Sequence, residues 1–242
     1  MDSKNIIIIG LILVALPGWL AWWRSSKANV ALTLPAVSSD LMPALQNRAS
    51  TARADFTREA VSEEDLLKLA WAATGKNRDG NSGYTVPLAM GSDPYVDVYL
   101  YDQNGIRRYD YDNNGFVDVS STDARADIMM MSEIADIPQM MVFVINPDKL
   151  PGGNPDTTYG YVAVGAMTQN VYLLAEQLGV QRRYIASIKA DGIKTSAGLA
   201  DNQIPVAAVI LARGETKLTT TRMTPPAAPP AGELPPMPPE QK

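Results

Sequence analysis

The chemistry open to this chain is narrowed by two absences: its 242 residues include no histidine and no cysteine. Ser-His and Cys-His nucleophile pairs are excluded, and with them thiolate chemistry, disulfides and most transition-metal sites. Carboxylates, amides, Tyr, Lys and Arg remain, and a bound cofactor is the simpler source of demanding chemistry. Two clusters are spaced for a role. The first is Asp110, Asp112, Asn114 and Asp118, whose oxygens at alternate positions around Gly115 imitate a calcium loop. Ser121 stands where that loop needs a bidentate Glu, and strand-like residues flank it, so the match lacks its usual context. The second is Gln169-Asn170, two adjacent amides inside a stretch that carries no charge from Tyr159 until Glu176. Buried amides require partners. On composition alone these two are either a satisfied packing pair or a pair that faces a ligand.

That stretch reads as a helix from Tyr159 to Gly179, apolar nearly all round and therefore buried. Ala163, Gly165, Ala166 and Ala175 allow close approach of a backbone or a flat ligand, and Gly179 occupies the C′ position. Ahead of it, Ser62-Glu63-Glu64-Asp65 opens another helix with a capping pattern, and Gly75 closes it. The Gly- and Asn-rich loop 76–91 follows and is a functional candidate. Alternating residues at 95–101, 106–110 and 116–119, turned by Asn104-Gly105 and Asn114-Gly115, predict a three-stranded meander. A helix is expected over 122–136, strands over 139–146, 183–189 and 204–212, and a short helix over 194–200. This order describes an α+β domain with helices grouped round a mixed sheet.

The flanks differ in character. Ile6–Trp23 is an uncharged run about 27 Å long as a helix, followed by Arg24 and Lys27, and it ends in Trp19, Trp22 and Trp23. It reads as a transmembrane anchor (1–27), with a cleaved signal segment as the rival, and the bulk of the chain is expected on the extracytoplasmic, periplasmic side. Residues 28–61 read as a tether, 62–217 as the domain, and 218–242 as an extended tail rich in proline, a spacer or a docking arm for a protein partner. The net charge of -5 leaves no basic stripe for nucleic acid.

Several segments in order carry a family resemblance. Leu66-Leu67, Trp71-Ala72-Ala73-Thr74-Gly75-Lys76-Asn77-Arg78, Thr85-Val86-Pro87-Leu88-Ala89-Met90, the 96–101 strand, the Arg108-Tyr109-Asp110 hairpin, Gln169–Ala175 and Val209–Gly214 together resemble the nitroreductase superfamily, in its azoline-dehydrogenase-like branch. The resemblance implies a nitroreductase-like α+β fold that forms a homodimer with FMN bound at two interfacial sites. It implies ping-pong hydride transfer through flavin N5, from a reduced nicotinamide to a small-molecule acceptor. On that basis Asn77, Arg78, Thr85 and Ala89 are flavin-side candidates, with Gln169 and Asn170 second and Arg213 and Lys217 as substitute phosphate cations. The substitutes matter because relatives carry a basic pair where this chain has Gly83 and Tyr84. Leu88 and Gly91 also replace the usual Ser and Asn. The same departures leave open a flavin-less member that serves as a membrane-tethered structural or assembly subunit.

Overall fold

The computed structural model describes residues 41–79, 83–153 and 156–218. Its core is one six-stranded sheet: β1 (Val96–Asp102), β2 (Gly105–Asp110), β3 (Gly115–Ser120), β4 (Gln139–Ile145), β5 (Val180–Ile185) and β6 (Ile204–Arg213), in the spatial order β3-β2-β1-β4-β6-β5. The helices are α1 (Leu41–Asn47), α2 (Glu63–Thr74), the single turn α3 (Arg125–Ile128), α4 (Thr158–Gln177) and α5 (Ala190–Ala197).

The expected mixed sheet is corrected here, because all five strand pairings are antiparallel. The reason lies in the connection through α4. Strands β4 and β5 run in the same direction, as a helical crossover demands, but β6 inserts between them and turns one parallel neighbour pair into two antiparallel ones. The β1–β2–β3 meander forms as its Asn-Gly turns predict, with Gly105 at φ 131 and Asn114 at φ 50.

Each sheet face has its own core. Val96, Val98 and Leu100 of β1 point into one core, beneath α2 and α4, while Tyr99 and Tyr101 point into the other, beneath α3 and α5. Strand β4 is buried on both faces. The α2 helix is capped by Ser62, whose Oγ accepts from Asp65 N–H at 3.2 Å, and its buried Leu66, Leu69, Ala70 and Ala73 repeat at helical spacing. The start of α4 sits directly on β4: a Cβ added at Gly160 would lie 2.6 Å from the Ile145 side chain.

Three expectations shift. The 122–136 helix shrinks to α3 plus a 3-10 turn at Ser132–Ile134. Met129 leaves the helix to bridge with Ile188, so Ile128, Met129, Ile134 and Ile137 all reach the second core. Pairing with β6 places β5 at 180–185, earlier than expected, and α5 starts at Ala190 and ends before Gly198 at φ 62. The expected tether 28–61 also ends sooner. Residues 48–61 pass from edge strand β5 across the ends of β6 and β4, fastened there by side-chain amides that act as strand partners. Gln181 accepts from Thr57 N–H at 2.7 Å and donates to Asp55 O at 2.9 Å and Glu215 O at 3.2 Å. Gln139 accepts from Val61 N–H at 3.0 Å and donates to Val61 O at 3.2 Å. Arg182, 1% exposed, ties the same strap to the rest. It donates to Glu176 and to Asn47 O, and to Thr216 Oγ1 beyond β6. The expected anchor at 6–23 lies outside the described residues, as does all of the expected tail but Leu218. No helix among the described residues is long and apolar enough to cross a membrane.

Replacing Gln181 with Leu removes three hydrogen bonds and strands backbone groups of the strap, which costs at least about 1–3 kcal/mol. The urea midpoint should fall with the m-value unchanged. Alkaline pH tests the second core. Burial pushes the Tyr99 and Tyr101 hydroxyls up to about 12. Their folded-state pKa values exceed the unfolded value, so the stability they contribute is full below about pH 10 and is lost as pH rises towards 12. Unfolding free energy should decline across that window, and less steeply in a Tyr99→Phe variant.

Candidate functional site

The open face of α4 brings the polar candidates and the empty space together. Gly160, Ala163, Val164, Met167, Val171 and Ala175 make a buried stripe at helical spacing. On the opposite side Val162, Gly165, Ala166, Gln169 and Leu173 form an uncharged ridge, exposed or half-buried, with Val162 64% exposed. The apolar character of both faces predicts burial all round, but among the described residues only one of them is covered. A Cβ on Gly165 would meet nothing within 4 Å, so the ridge is open above it.

Two cavities flank the ridge. At 100° per residue, Asn170, Leu173, Leu174 and Gln177 fall on one side of it, and Tyr161, Thr168 and Tyr172 on the other. The first group lines a cavity of about 310 Å³ with Trp71, Ala72, Asn77 and Thr85, and with Leu41 and Ala44 of α1. The second lines a cavity of about 380 Å³ with Arg48, Ser50 and Tyr184, and with Gln169 from the ridge itself. A larger cleft of about 680 Å³ lies elsewhere, between the strap, the β1–β2 turn and residues 136–139. Its arginines are spent internally: Arg107 on Glu63 and Asp102, and Arg125 on Asp123. It is a charge-compensated crevice, and the ridge cavities are the better site.

The first cavity gathers three of the sequence candidates. Asn170 donates to Ala72 O at 3.0 Å and Thr85 O at 3.1 Å. Thr85 donates through Oγ1 to Trp71 O at 3.2 Å. Asn77 holds the loop through N–H to Gly83 O at 2.8 Å, and its Oδ1 accepts from Arg78 at 3.1 Å. Arg78 stands beside this wall on the loop's exposed limb, outside the cavity lining. Ala89 is also outside it, its N–H held by the Tyr95 hydroxyl at 3.2 Å. Arg213 is paired with Asp65 at 2.9 Å and Lys217 lies 4.0 Å from Asp55, both away from the two cavities.

In the second cavity the Tyr172 hydroxyl bonds Ser50 Oγ at 2.9 Å and accepts from Tyr184 N–H at 2.6 Å. Thr168 Oγ1 is buried there without a partner. Arg48 is the one charged residue among the described residues of this lining. Sequence reading missed Arg48 and Ser50 because they stand in a segment with the composition of a tether. The one available signal is the 41–56 stretch, whose residues allow a short helix.

The departures at 83–91 also acquire a physical account. Tyr84 is buried, its ring edge-on to Tyr111 and its hydroxyl donating to Asp93 at 2.7 Å. Burial first, and then Asp93, push that hydroxyl well above its ordinary pKa. Leu88 packs in the core. Neither position offers a cation. In the calcium-like turn, two of the four candidate side chains are engaged within the turn. The turn's own Asp112 and Asn113 N–H groups and the Asn113 amide all bond Asp110, while Asn114 accepts from Tyr109. Burial opposes ionisation of Asp110, but these hydrogen bonds outweigh it and hold the carboxyl below its usual range. Among the described residues no group of three or more acidic side chains is placed to hold a metal.

The sequence pattern of the nitroreductase family matches residues 45–213. The chain belongs to the nitroreductase family. Solved structures agree on the fold. A Ralstonia eutropha protein assigned as a nitroreductase superposes with a TM-score of 0.67 at 24% identity, covering 78% of this chain and 90% of that one. A chain of the Escherichia coli microcin synthetase McbBCD complex, solved with truncated pro-MccB17 bound, gives 0.60 at 16%, covering 80% and 81%. A Clostridium difficile nitroreductase family protein gives 0.52 at 16%, covering 76% and 88%. No curated protein shows significant similarity to the chain.

Nitroreductase family members typically bind flavin, and the residues here suit one. The ridge above Gly165 is flat and uncharged, the cavities beside it carry amides and hydroxyls, and a buried hydroxyl at Thr168 has no partner inside the fold. An orphaned buried hydroxyl lowers stability, so Thr168→Val should raise the unfolding free energy of the ligand-free protein by about 1 kcal/mol. A urea titration showing a loss would mean that the hydroxyl already has a partner within the fold.

Proposed function

We propose that this nitroreductase-family chain is an FMN-dependent oxidoreductase that works as a homodimer and is carried on a membrane by residues 6–23, its domain on the extracytoplasmic side. The observation that carries the reading is the uncovered, uncharged ridge of α4 with a polar cavity on each flank. Burying such a face needs either a second copy or a flat apolar ligand, and an isologous contact about the ridge would roof both cavities.

The chain's own residues divide the work. Arg48 supplies the charge for the phosphate, in place of the pair missing at Gly83 and Tyr84, with Arg78 on the loop as the second cation. Ser50, Tyr172, Gln169, Asn77 and Asn170 supply hydrogen bonds to the polar edges, while Trp71, Leu173 and Leu174 keep water from the ring. Bound there, the flavin supplies hydride transfer at N5 in two half-reactions, from a reduced nicotinamide and then to a small acceptor. No histidine or cysteine is required.

One feature favours a second reading. With Tyr84 turned into the core, the usual phosphate grip is gone. A flavin-less subunit of a membrane-tethered assembly, its tail meeting a protein partner, would retain the ridge as a docking face. The similar chain from the McbBCD structure is itself part of a complex.

The two readings separate on FMN titration of the purified full chain, followed by visible absorbance and flavin fluorescence. The enzyme reading expects saturable binding, weakened about 10–100-fold in Arg48→Ala because a charge-assisted hydrogen bond is worth roughly 1.5–3 kcal/mol. Absorbance and fluorescence that match free FMN at every concentration leave only the assembly reading.

A further inference from the structure

Among the described residues, Asn170 is the side chain of α4 that bonds both the end of α2, where the 75–85 loop departs, and the limb on which it returns. Its Nδ2 donates to Ala72 O, in the last turn of α2, at 3.0 Å and to Thr85 O, on the returning limb, at 3.1 Å. The limbs are otherwise held by Thr85 N–H to Gly75 O at 3.0 Å and by the Lys76–Tyr84 bridge. Two carbonyl partners fix which end of the amide is nitrogen, since a flipped amide would set oxygen against oxygen. Both donors are therefore spent. Oδ1 accepts no hydrogen bond among the described residues, yet it is not among the buried unpartnered atoms, so it is open to the cavity that Asn170 lines. Asn77 on the same wall has the opposite polarity: its Oδ1 is taken by Arg78 at 3.1 Å, which leaves its Nδ2 hydrogens as donors.

Resting on the flavin reading, we propose that Asn170 is a positioning residue that pins the 75–85 loop to α4 and, with Asn77, reads a ligand edge bearing an N–H beside a carbonyl. The Asn170 oxygen takes the N–H and the Asn77 amide meets the carbonyl. The imide edge of an isoalloxazine ring has that pattern. A phosphate or a carboxylate does not, because it would set acceptor against acceptor at Asn170. The loop's placement and the recognition of the ring thus depend on one amide, each through a different atom.

Two measurements on the full chain test this. Trypsin cleavage after Lys76 and Arg78 in the ligand-free protein should be at least about tenfold faster in Asn170→Leu than in wild type, because cleavage reports local opening of the segment. The neighbouring Gln169→Leu should leave it unchanged. FMN and its N3-methyl derivative are then titrated against wild type, which should prefer FMN by about tenfold or more, a preference that Asn170→Leu abolishes. Equal affinity for the two flavins in wild type overturns the recognition half, even where FMN binds tightly and the oxidoreductase reading stands. Unchanged trypsin cleavage in Asn170→Leu overturns the positioning half. Should wild type bind neither flavin, the oxidoreductase reading falls and takes the recognition half with it, while trypsin still decides the other. Asn170→Ser, too short to reach both carbonyls, repeats both measurements where the leucine variant does not fold.

Discussion

A helix of 20 residues that is apolar on two opposite faces needs cover on both, and among the described residues the sheet, α2 and α1 pack against α4 while one face stays open. The sheet takes the face marked by Ala163, Met167 and Val171, with Gly160 small enough to let the helix lie on Ile145. The other face is left to Val162, Gly165 and Gln169, and the two ridge cavities follow from that single omission. Were the ridge charged, solvent would satisfy it and nothing further would be required. The ridge is instead neutral, and amides and hydroxyls line the cavities beside it.

The rest of the fold keeps this helix still. Along β5 and β6 the strap at 48–61 runs as irregular backbone whose polar groups would otherwise be stranded. Gln181 and Gln139 act as strand partners for it, each taking an N–H and returning a hydrogen to a carbonyl. Arg182 then holds the strap through its N–H to Thr51 Oγ1, and its buried guanidinium joins the end of α1, the end of α4 and the segment after β6. The consequence reaches the cavity. Ser50 belongs to the strap and bonds Tyr172 on α4, so the wall that carries Arg48 is only as well ordered as those amide and guanidinium contacts.

The elements with local causes were legible in the sequence. The Ser62 cap, the two Asn-Gly turns and the glycine after α4 each answer to residues within a turn of themselves, and each forms where its residues predict. The strap, the position of β6 and the short α3 were not legible, because their causes lie far along the chain. The amide of Gln181 that makes 55–57 part of the domain is more than a hundred residues away, and β6 comes last yet separates β4 from β5. The candidate site divides in the same way. Asn77, Thr85 and Asn170 do gather on one wall, while Arg48 and Ser50 enter the other only through the strap.

The placement of charge is the last step. A phosphate group needs a cation within hydrogen-bonding reach, and the loop position that would carry one holds Tyr84, turned inward on Asp93 and Tyr111. Its hydroxyl, raised by burial and by that carboxylate, stays protonated and keeps donating to Asp93. Tyr84 therefore trades a possible ligand contact for a fixed loop base, and Asn170 fixes the same loop from the helix side. With both ends of the excursion spent on structure, the loop contributes shape and amide polarity to its cavity. Arg48, on the strap, is the charged side chain of the ridge cavities, and among the described residues it pairs with no carboxylate, unlike Arg107, Arg125 and Arg213. Amides thus line the cavity on one flank of α4 and the Arg48 guanidinium lines the other.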